Sequence, residues 1–290
     1  MEQIKNVGQV VENYIDGCAG KINCPFSKLI IKAVLAGAMI ALGASAGNVA
    51  SHAITNVGLA RLASAVVFPV GLMMIVLLGG ELFTGDCLMA MSIMTKKQKL
   101  ISVIRVLATV FFGNLIGASL VAFGAFFSSQ FNYSSGLLGA YTIKVALGKV
   151  TMSFWSALIS GILCNILVCA AIIMAGAAQD VSGKLIAIFF VIMLFVTEGF
   201  EHCVANMYYI TAGLIASHQN AYVNLAIERY GLTLEKLQAL NIKTYFVNNL
   251  IPVTIGNITG GAICLGLPLV YLNITKSKKN ENKKSVMEVA

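Results

Sequence analysis

A cluster of polar side chains lies inside a long apolar stretch of this 290-residue chain. Glu198, Glu201, His202 and Asn206 are flanked on both sides by uninterrupted apolar residues. Imidazole titrates near neutral pH and can donate a hydrogen bond or a proton to an anion. Because Asn206 follows His202 by one helical turn, we expect its amide on the same face of a helix. The cluster therefore predicts a site that handles small anions or protons, and a histidine that only fills space between helices is the alternative.

The position of this cluster within the apolar stretch also predicts its structure. Ionisable side chains are costly at the centre of a membrane and usually face a bundle interior or a water-filled path. Gly199 lies between the two glutamates, and glycine weakens a helix. A break in a spanning helix is tolerated only where protein or a cavity satisfies the freed backbone groups. We therefore expect a helix that is broken around the site.

The composition of the whole chain is that of a membrane protein. Hydrophobic residues make up 58% of the sequence and charged residues only 11%, whereas soluble domains carry about 25% charged residues. A spanning helix needs about 20 apolar residues. The blocks close to or above that length are 29–46, 62–94, 100–127, 152–175, 185–216 and 246–272. The second and fifth blocks are overlong and contain polar groups, which predicts one broken helix in each.

The order of motifs predicts two repeats of three helices. In the second block, glycines bracket two acids and a threonine over residues 79–86, so a break is expected there as well. The third and sixth blocks carry Gly-Asn-Leu-Ile-Gly-Ala at 113–118 and Gly-Asn-Ile-Thr-Gly-Gly at 256–261. An odd number of spans in each repeat forces opposite orientations in the membrane, an arrangement typical of transporters and channels. Substrate is then expected near the midplane, between the two breaks.

The placement of the basic residues predicts the orientation of the chain. The formal charge of +8 could indicate nucleic-acid binding, but most lysines lie before the first block, between the second and third, or after the sixth. Excess lysine and arginine marks cytoplasmic loops. Both termini are therefore predicted on the cytoplasmic side of the inner (plasma) membrane, with no nucleic acid as partner. The predicted division is a cytoplasmic segment over 1–28, a six-helix channel domain over 29–274, and a basic cytoplasmic tail over 275–290.

The sequence gives little indication of an enzyme or of a metal site. The seven cysteines form no metal-type cluster, and most lie in apolar blocks where cysteine behaves as a small hydrophobe, so no metal or other cofactor is expected. HExxH and P-loop motifs do not occur. A membrane enzyme using His202 with Glu198 or Glu201 as acid and base is an alternative, but no second catalytic cluster accompanies these residues. We expect a protein that is not an enzyme.

Further polar candidates lie outside the opening stretch. Lys149 precedes the fourth block on the side predicted to face away from the cytoplasm. It is either an interfacial lysine whose ammonium reaches into water, or a cation that concentrates anions at a pore mouth. Asn165 in the fourth block is a candidate second polar partner for the site. Asn114 and Asn257 are instead expected to satisfy backbone groups freed at the breaks.

Acidic and bulky apolar residues accompany both breaks. We expect the carboxylates of Glu81, Glu198 and Glu201 to accept hydrogen bonds from backbone N–H groups at the broken helices, because ionised carboxylates facing an anion path would oppose it. Four bulky residues flank the breaks and would either narrow a pore or simply pack between helices: Phe68, Leu72, Phe83 and Phe195.

These motifs resemble the signatures of the formate/nitrite transporter family. The matching segments are 81–85, 161–168, 199–207 and 249–257, and the resemblance runs from the first span to the sixth. It implies an all-α membrane protein with an aquaporin-like protomer of six transmembrane helices, five copies of which form a homopentameric ring in the lipid bilayer with one pore each. It also implies transport of small monovalent anions such as formate, nitrite or hydrosulfide.

The resemblance also implies roles for individual residues. Lys149 would attract the anion, and His202 and Asn206 would meet it in a central chamber, with Thr84 and Asn165 as further pore residues. The residues implied at the constrictions and the break of the second helix are Phe68, Leu72, Leu82, Phe83, Val168 and Phe195. Cys203 departs from the serine that relatives often have beside the histidine, and Gly80-Glu81 departs from the Ala-Asp of some relatives. These departures leave the choice of anion open.

The function expected from the sequence is a passive or proton-coupled anion channel. Bringing a weak-acid anion into a low-dielectric pore raises the pKa of that acid, because desolvation disfavours the charged form. Protonation with help from His202 would then let the neutral acid cross. A hydrosulfide channel of the same family is an alternative. So is a neutral-solute or ammonium channel on a similar fold, although the four prolines lack the Asn-Pro-Ala context that such a channel predicts.

Overall fold

A computed structural model of the protein describes residues 4–274 as a bundle of α-helices. The predicted basic tail at 275–290 lies outside the described residues. The helices are α1 Val7–Ile22, α2 Phe26–Ser51, α3 Val57–Leu78, α4 Phe83–Met94, α5 Leu100–Phe127, α6 Leu137–Val150, α7 Phe154–Ala177, α8 Val181–Glu198, α9 Cys203–Ser217, α10 Asn220–Tyr230, α11 Leu234–Leu237 and α12 Ile242–Ile274.

The amphipathic N-terminal helix α1 lies against one end of the bundle. Its first turn is closed by a capping box, in which the side chains of Asn6 and Gln9 each accept the other residue's backbone N–H at 3.0 Å. Val11 and Ile15 are buried against the other helices. A Cβ placed on Gly8 would lie 3.8 Å from the Cβ of Asn273, near the end of α12. The first turn of α1 and the end of the last span therefore lie at the same end of the bundle, which we call the α1 end. The opposite end carries α6, and we call it the α6 end.

The six predicted spans are confirmed, and the second and fifth are broken as predicted. Helices α2, α5, α7 and α12 are continuous spans of 26, 28, 24 and 33 residues, each long enough to cross a hydrocarbon core of about 30 Å. The second span consists of α3 followed by the shorter α4, and the fifth consists of α8 followed by α9. The chain order therefore gives two three-span repeats of opposite orientation.

Both breaks have the same backbone conformation. Helix α3 ends at Gly79 with φ 74°, and α8 ends at Gly199 with φ 73°, in the left-handed region where a side chain is strained. The chain is then extended immediately before the next helix. Leu82 has φ −114° and ψ 123°, and His202 has φ −111° and ψ 114°. Each break therefore leaves backbone groups at the ends of two half-helices without helical partners.

One asparagine in each repeat satisfies the freed backbone groups, as predicted. Asn114 Oδ1 accepts the Phe83 N–H at 2.9 Å, and its amide donates to the carbonyls of Ala33 and Glu81. In the other repeat, Asn257 Oδ1 accepts the Cys203 N–H at 2.9 Å. The Asn257 amide donates to the Gly161 and Glu201 carbonyls. The predicted structural role of both asparagines is confirmed.

Close backbone contacts hold the outer helices of each repeat together. A Cβ on Gly117 in α5 would lie 2.0 Å from the Val34 carbonyl oxygen of α2, and one on Gly260 in α12 would lie 2.2 Å from the Ile162 carbonyl oxygen of α7. Only glycine permits these contacts, which is the packing expected of small-residue motifs in membranes. The matching positions explain why the Gly-Asn motif recurs in the third and sixth spans.

Candidate transport pore

Three cavities follow one another along the breaks and share lining residues. A cavity of about 330 Å³ opens at the α6 end and reaches Phe68, Phe195 and His202. These three residues also line a central void of about 10 Å³. Leu72 and Leu82 line that void and also a cavity of about 150 Å³ towards the α1 end. The series forms a path that is wide at one end and almost closed at its centre.

The central void is closed by apolar side chains. The rings of Phe68 and Phe195 meet edge to face with centroids 5.5 Å apart. The void is about the size of one water molecule, so a hydrated ion does not fit in this conformation. Its lining includes five of the residues that the sequence suggested for the constriction, together with two isoleucines that it did not: Phe68, Leu72, Leu82, Val168 and Phe195, with Ile40 and Ile192.

Phe83 lies apart from this constriction. Its ring packs edge to face on Phe111 of α5, with centroids 5.1 Å apart, and it does not line the central void. Because the backbone of Leu82 is extended, the Leu82 side chain faces the void, whereas the Phe83 side chain turns towards α5. The contribution of Phe83 at this point is its backbone N–H, which Asn114 binds.

His202 connects the two half-helices that begin at the centre. Its Nε2 lies 2.9 Å from Thr84 Oγ1, and its Nδ1 accepts the backbone N–H of Ala205 at 3.2 Å. Since Nδ1 accepts, the neutral ring carries its proton on Nε2 and donates it to Thr84. The ring is 2% exposed, stacks at 6.0 Å on Phe195, and borders both the α6-end cavity and the central void. The only polar hydrogen on the ring therefore lies at the start of the constriction.

Lys149 does not extend into water as an interfacial lysine would. Its ammonium donates to Glu201 Oε1 at 2.8 Å and lies 5.2 Å from the centre of the Tyr209 ring. Only 16% of the side chain is exposed, and it lines the α6-end cavity together with His202. Lys149 thus lies inside the mouth of the path, with a carboxylate as its direct partner.

The prediction that the glutamates bind backbone N–H groups is wrong. Besides Lys149, the Glu201 carboxylate accepts the Asn206 amide at 2.6 Å and the Asn249 amide at 3.3 Å. Glu81 binds Lys21 at 2.5 Å and lies 3.8 Å from Lys32. Both carboxylates are buried and bound by side chains from distant helices, whereas Glu198 is exposed at the end of α8.

The sequence did not reveal the role of Lys21, which was considered only for its charge. Lys21, near the end of α1, bonds to both Glu81 and Asp86 and lines the α1-end cavity. From the same helix, Tyr14 donates to the Gly85 carbonyl at 2.9 Å. The sequence did contain a sign of the symmetry between the two breaks, because Asp86 follows Glu81 by five residues, as Asn206 follows Glu201. The inverted repeat therefore places a lysine–glutamate pair at each end of the path.

The asparagines near the centre have different roles. Asn165 does not line the α6-end cavity. Its amide links α4 to α12 by donating to the Thr84 carbonyl at 3.1 Å and the Asn257 carbonyl at 2.6 Å. Asn206 lines that cavity, donates to Asn249 Oδ1 at 2.8 Å, and keeps a buried Oδ1 without a partner in the described part of the chain. Asn206 is thus the asparagine that reaches the path.

Residues 4–274 contain no group of three or more histidine, cysteine or acidic side chains arranged to hold a metal ion. The cysteines in this part of the chain are free thiols. The site consists of a lysine–glutamate pair, a histidine–threonine pair and an apolar constriction.

The fold and the path together define a membrane channel or transporter built from inverted repeats. The family described as formate/nitrite transporter matches residues 8–271, and the chain belongs to this family. It is 37% identical over 218 residues to the formate channel FocA of Haemophilus influenzae, covering 75% of this chain and 76% of that protein. It is also 37% identical over 265 residues to a probable formate transporter of Methanothermobacter thermautotrophicus, covering 84% and 88%.

Solved structures agree with this assignment. A pentameric formate channel with formate bound is similar to this chain with a TM-score of 0.75 and 30% identity, covering 85% of this chain and 98% of that one. An ion channel of the same family has a TM-score of 0.69 at 24% identity and supports the fold alone. The family consists of channels and transporters, not enzymes, and this chain is a multi-pass membrane protein of that kind.

Proposed function

We propose that this protein carries small monovalent anions of the formate type across the membrane, through one pore in each protomer of a homopentamer. The observation that carries the proposal is the series of three cavities, in which a lysine lies at each end and a histidine at the constriction. The similar formate channels support formate as the first anion to test.

The constriction favours passage of the neutral acid over the anion. A bare carboxylate loses most of its hydration in an apolar void and gains no charge partner there, which is very costly. Desolvation raises the pKa of a weak acid, so the approaching anion becomes easier to protonate. His202 lies where this change occurs. A carboxylate arriving from the α6-end cavity would accept the Nε2–H hydrogen bond in place of Thr84. The proton that neutralises its charge would come from water in the cavity, because a neutral ring that gave up its Nε2 proton would become an imidazolate.

Lys149 and Asn206 act before this step in the proposal. The ammonium of Lys149 shares Glu201 with two amides, so an incoming anion can approach it without displacing the carboxylate. The Asn206 side chain holds Glu201 and lines the same cavity. By the inverted symmetry, Lys21 would do at the α1 end what Lys149 does at the α6 end, which allows movement in both directions.

The proposed setting is the inner (plasma) membrane with both termini in the cytoplasm. Basic residues of the α1 end and of the loop between α4 and α5 support this orientation. An ammonium channel or neutral-solute channel is not favoured, because the path contains a single histidine and carries cations at both ends.

Flux into liposomes tests the proposed function. Purified protein is reconstituted, and uptake of formate, nitrite, hydrosulfide, ammonium and glycerol is measured against protein-free liposomes. We expect saturable uptake of one or more of the monovalent anions and none of glycerol or ammonium. Uptake of glycerol or ammonium without any of the anions would refute the proposal.

A further inference from the structure

Two cations at the α6 end have no carboxylate partner. Arg61 and Lys144 line the same cavity as Lys149 and His202. The ion pairs within 4.0 Å in residues 4–274 involve Lys21, Lys32, Lys97 and Lys149, but neither Arg61 nor Lys144. Lys149, in contrast, has Glu201 at 2.8 Å. Arg61 and Lys144 are exposed, whereas the Lys149 side chain is only 16% exposed. The two cations without an ion pair therefore lie closer to solvent than Lys149 does.

Lys144 stands between two cavities. A second cavity of about 350 Å³, here called the side cavity, shares Tyr141 and Lys144 with the α6-end cavity and adds Arg229 and His52 to its lining. The Lys144 ammonium lies 4.6 Å from the Tyr230 ring centre and 5.7 Å from that of Tyr141. The two rings fix the position of the ammonium but do not neutralise its charge.

Arg61 is held beside the break of the fifth span. Its Nη1 donates to the Thr197 carbonyl at 3.2 Å, and a Cβ on Gly199 would lie 2.6 Å from the same atom. The guanidinium thus occupies the space next to the glycine that ends α8. A carbonyl carries only a partial charge, so most of the guanidinium charge is left to act on the cavity.

We propose that Arg61 and Lys144 form an outer site that collects small monovalent anions and delivers them to Lys149. This inference rests on the proposed function and extends it, because it assigns recruitment to two residues other than the paired lysine. Charges that line a cleft raise the local concentration of an oppositely charged substrate. Removing Lys149 would leave Glu201 as an unpaired negative charge, whereas removing Arg61 or Lys144 leaves no unpaired partner.

The expected size of the effect follows from Coulomb's law. In water, one unit charge about 10 Å from an anion changes its local concentration about twofold, so two charges give about fourfold. The Debye length is about 30 Å at 0.01 M salt and about 3 Å at 1 M. The enhancement should therefore be present at low salt and absent at high salt.

The test compares formate uptake at about 10 mM and about 1 M ionic strength. We expect Arg61→Gln/Lys144→Gln to lower uptake about fourfold at low salt and to match the parent at high salt. Lys144→Gln alone, which breaks no hydrogen bond of the described chain, should lower it about twofold at low salt. Arg61→Lys/Lys144→Arg keeps both charges and should behave as the parent.

The control is Lys236→Gln in α11, which removes a positive charge from a residue that lines neither cavity. It should leave uptake unchanged at both salt concentrations. A double variant equal to the parent at low salt, or one reduced by the same factor at both concentrations, would overturn the outer site while leaving the proposed function intact. A parent protein without any formate uptake would overturn both.

Discussion

His202 is the residue whose surroundings decide between proton handling and packing. Its ring bonds to Thr84 through Nε2 and lies at the border between a polar cavity and an apolar void. Phenylalanine has a similar volume but neither a donor nor an acceptor. Replacing His202 by phenylalanine therefore removes the hydrogen-bonding ring nitrogens while largely preserving the shape of the constriction.

We predict that His202→Phe changes both the size and the pH dependence of formate flux. Uptake into proteoliposomes is measured from about pH 5 to 8, which brackets the ordinary histidine pKa of about 6.5. His218→Phe is the control, because His218 is exposed at the end of α9, and its profile should follow that of the parent. Superimposable normalised profiles for His202→Phe and the parent would exclude a role for the ring in proton transfer.

The Lys149–Glu201 pair gives a second prediction at the level of residues. Lys149→Gln leaves the buried Glu201 carboxylate uncompensated beside the anion path, so we expect flux to fall about tenfold or more. Lys149→Gln/Glu201→Gln removes both charges and should recover flux to within about threefold of the parent. Flux of the double variant as low as that of the single one would argue against charge as the cause, and Lys149→Glu should be the most impaired variant of the three.

The half-helices depend on the two asparagines that bind their free ends. Asn114 makes three hydrogen bonds to buried backbone groups around the first break. Leaving a buried polar group without a partner costs about 1–3 kcal/mol. Replacing the asparagine by leucine preserves most of the volume but removes all three partners, so the break loses its internal support.

We therefore predict that Asn114→Leu and Asn257→Leu each destabilise the protein by about 3 kcal/mol or more. The measurement is thermal unfolding in detergent, followed by circular dichroism and by the recovery of folded protein after heating. Thr259→Val serves as control, since its hydroxyl bonds within its own helix at 2.9 Å and no break depends on it. Melting curves of the asparagine variants that coincide with the control would contradict the assignment.

Local pattern was sufficient to predict the elements but not the partners of the charges. Glycine next to acids within apolar blocks predicted both breaks, and the repeated Gly-Asn motif predicted Asn114 and Asn257 as their supports. The partners of Glu81 and Glu201 were not predicted, because Lys21 and Lys149 are 60 and 52 residues away in the chain and meet them only after the helices pack. The prediction that the Phe83 side chain lines the constriction was wrong for a related reason. An extended residue before a helix resets the phase of its faces, so periodicity does not carry across the break.

The surface of the whole bundle is suited to lipid and to neighbouring protomers. Large apolar side chains such as Phe112, Leu120, Ile186, Phe190 and Leu267 are exposed on the spans. Patches of this kind are rare on soluble monomers and mark membrane or subunit contacts. The similar pentameric formate channel supports a ring of five copies as the arrangement that covers part of this surface.

We predict that the protein is a homopentamer in mild detergent. Native mass spectrometry should give a complex of about five chains of 30.7 kDa each, and crosslinking in membranes should give a ladder that ends at the same number. A monomer as the only species under conditions that preserve the fold would refute the pentamer. It would leave the pore untouched, because every cavity of the path lies within one chain.

Helices α4 and α9 meet at the centre, and their backbones contribute to ion selectivity independently of any side chain. Both helices begin there, at Phe83 and Cys203, and the aligned peptide dipoles of a helix place about half a positive charge at its start. Two such starts face each other across the Thr84–His202 contact, so the backbone itself makes the middle of the path electropositive. Neutralising the lysines and arginines at the mouths should slow anions, yet cations would still meet this barrier. Exclusion of ammonium should therefore persist in every charge variant described above.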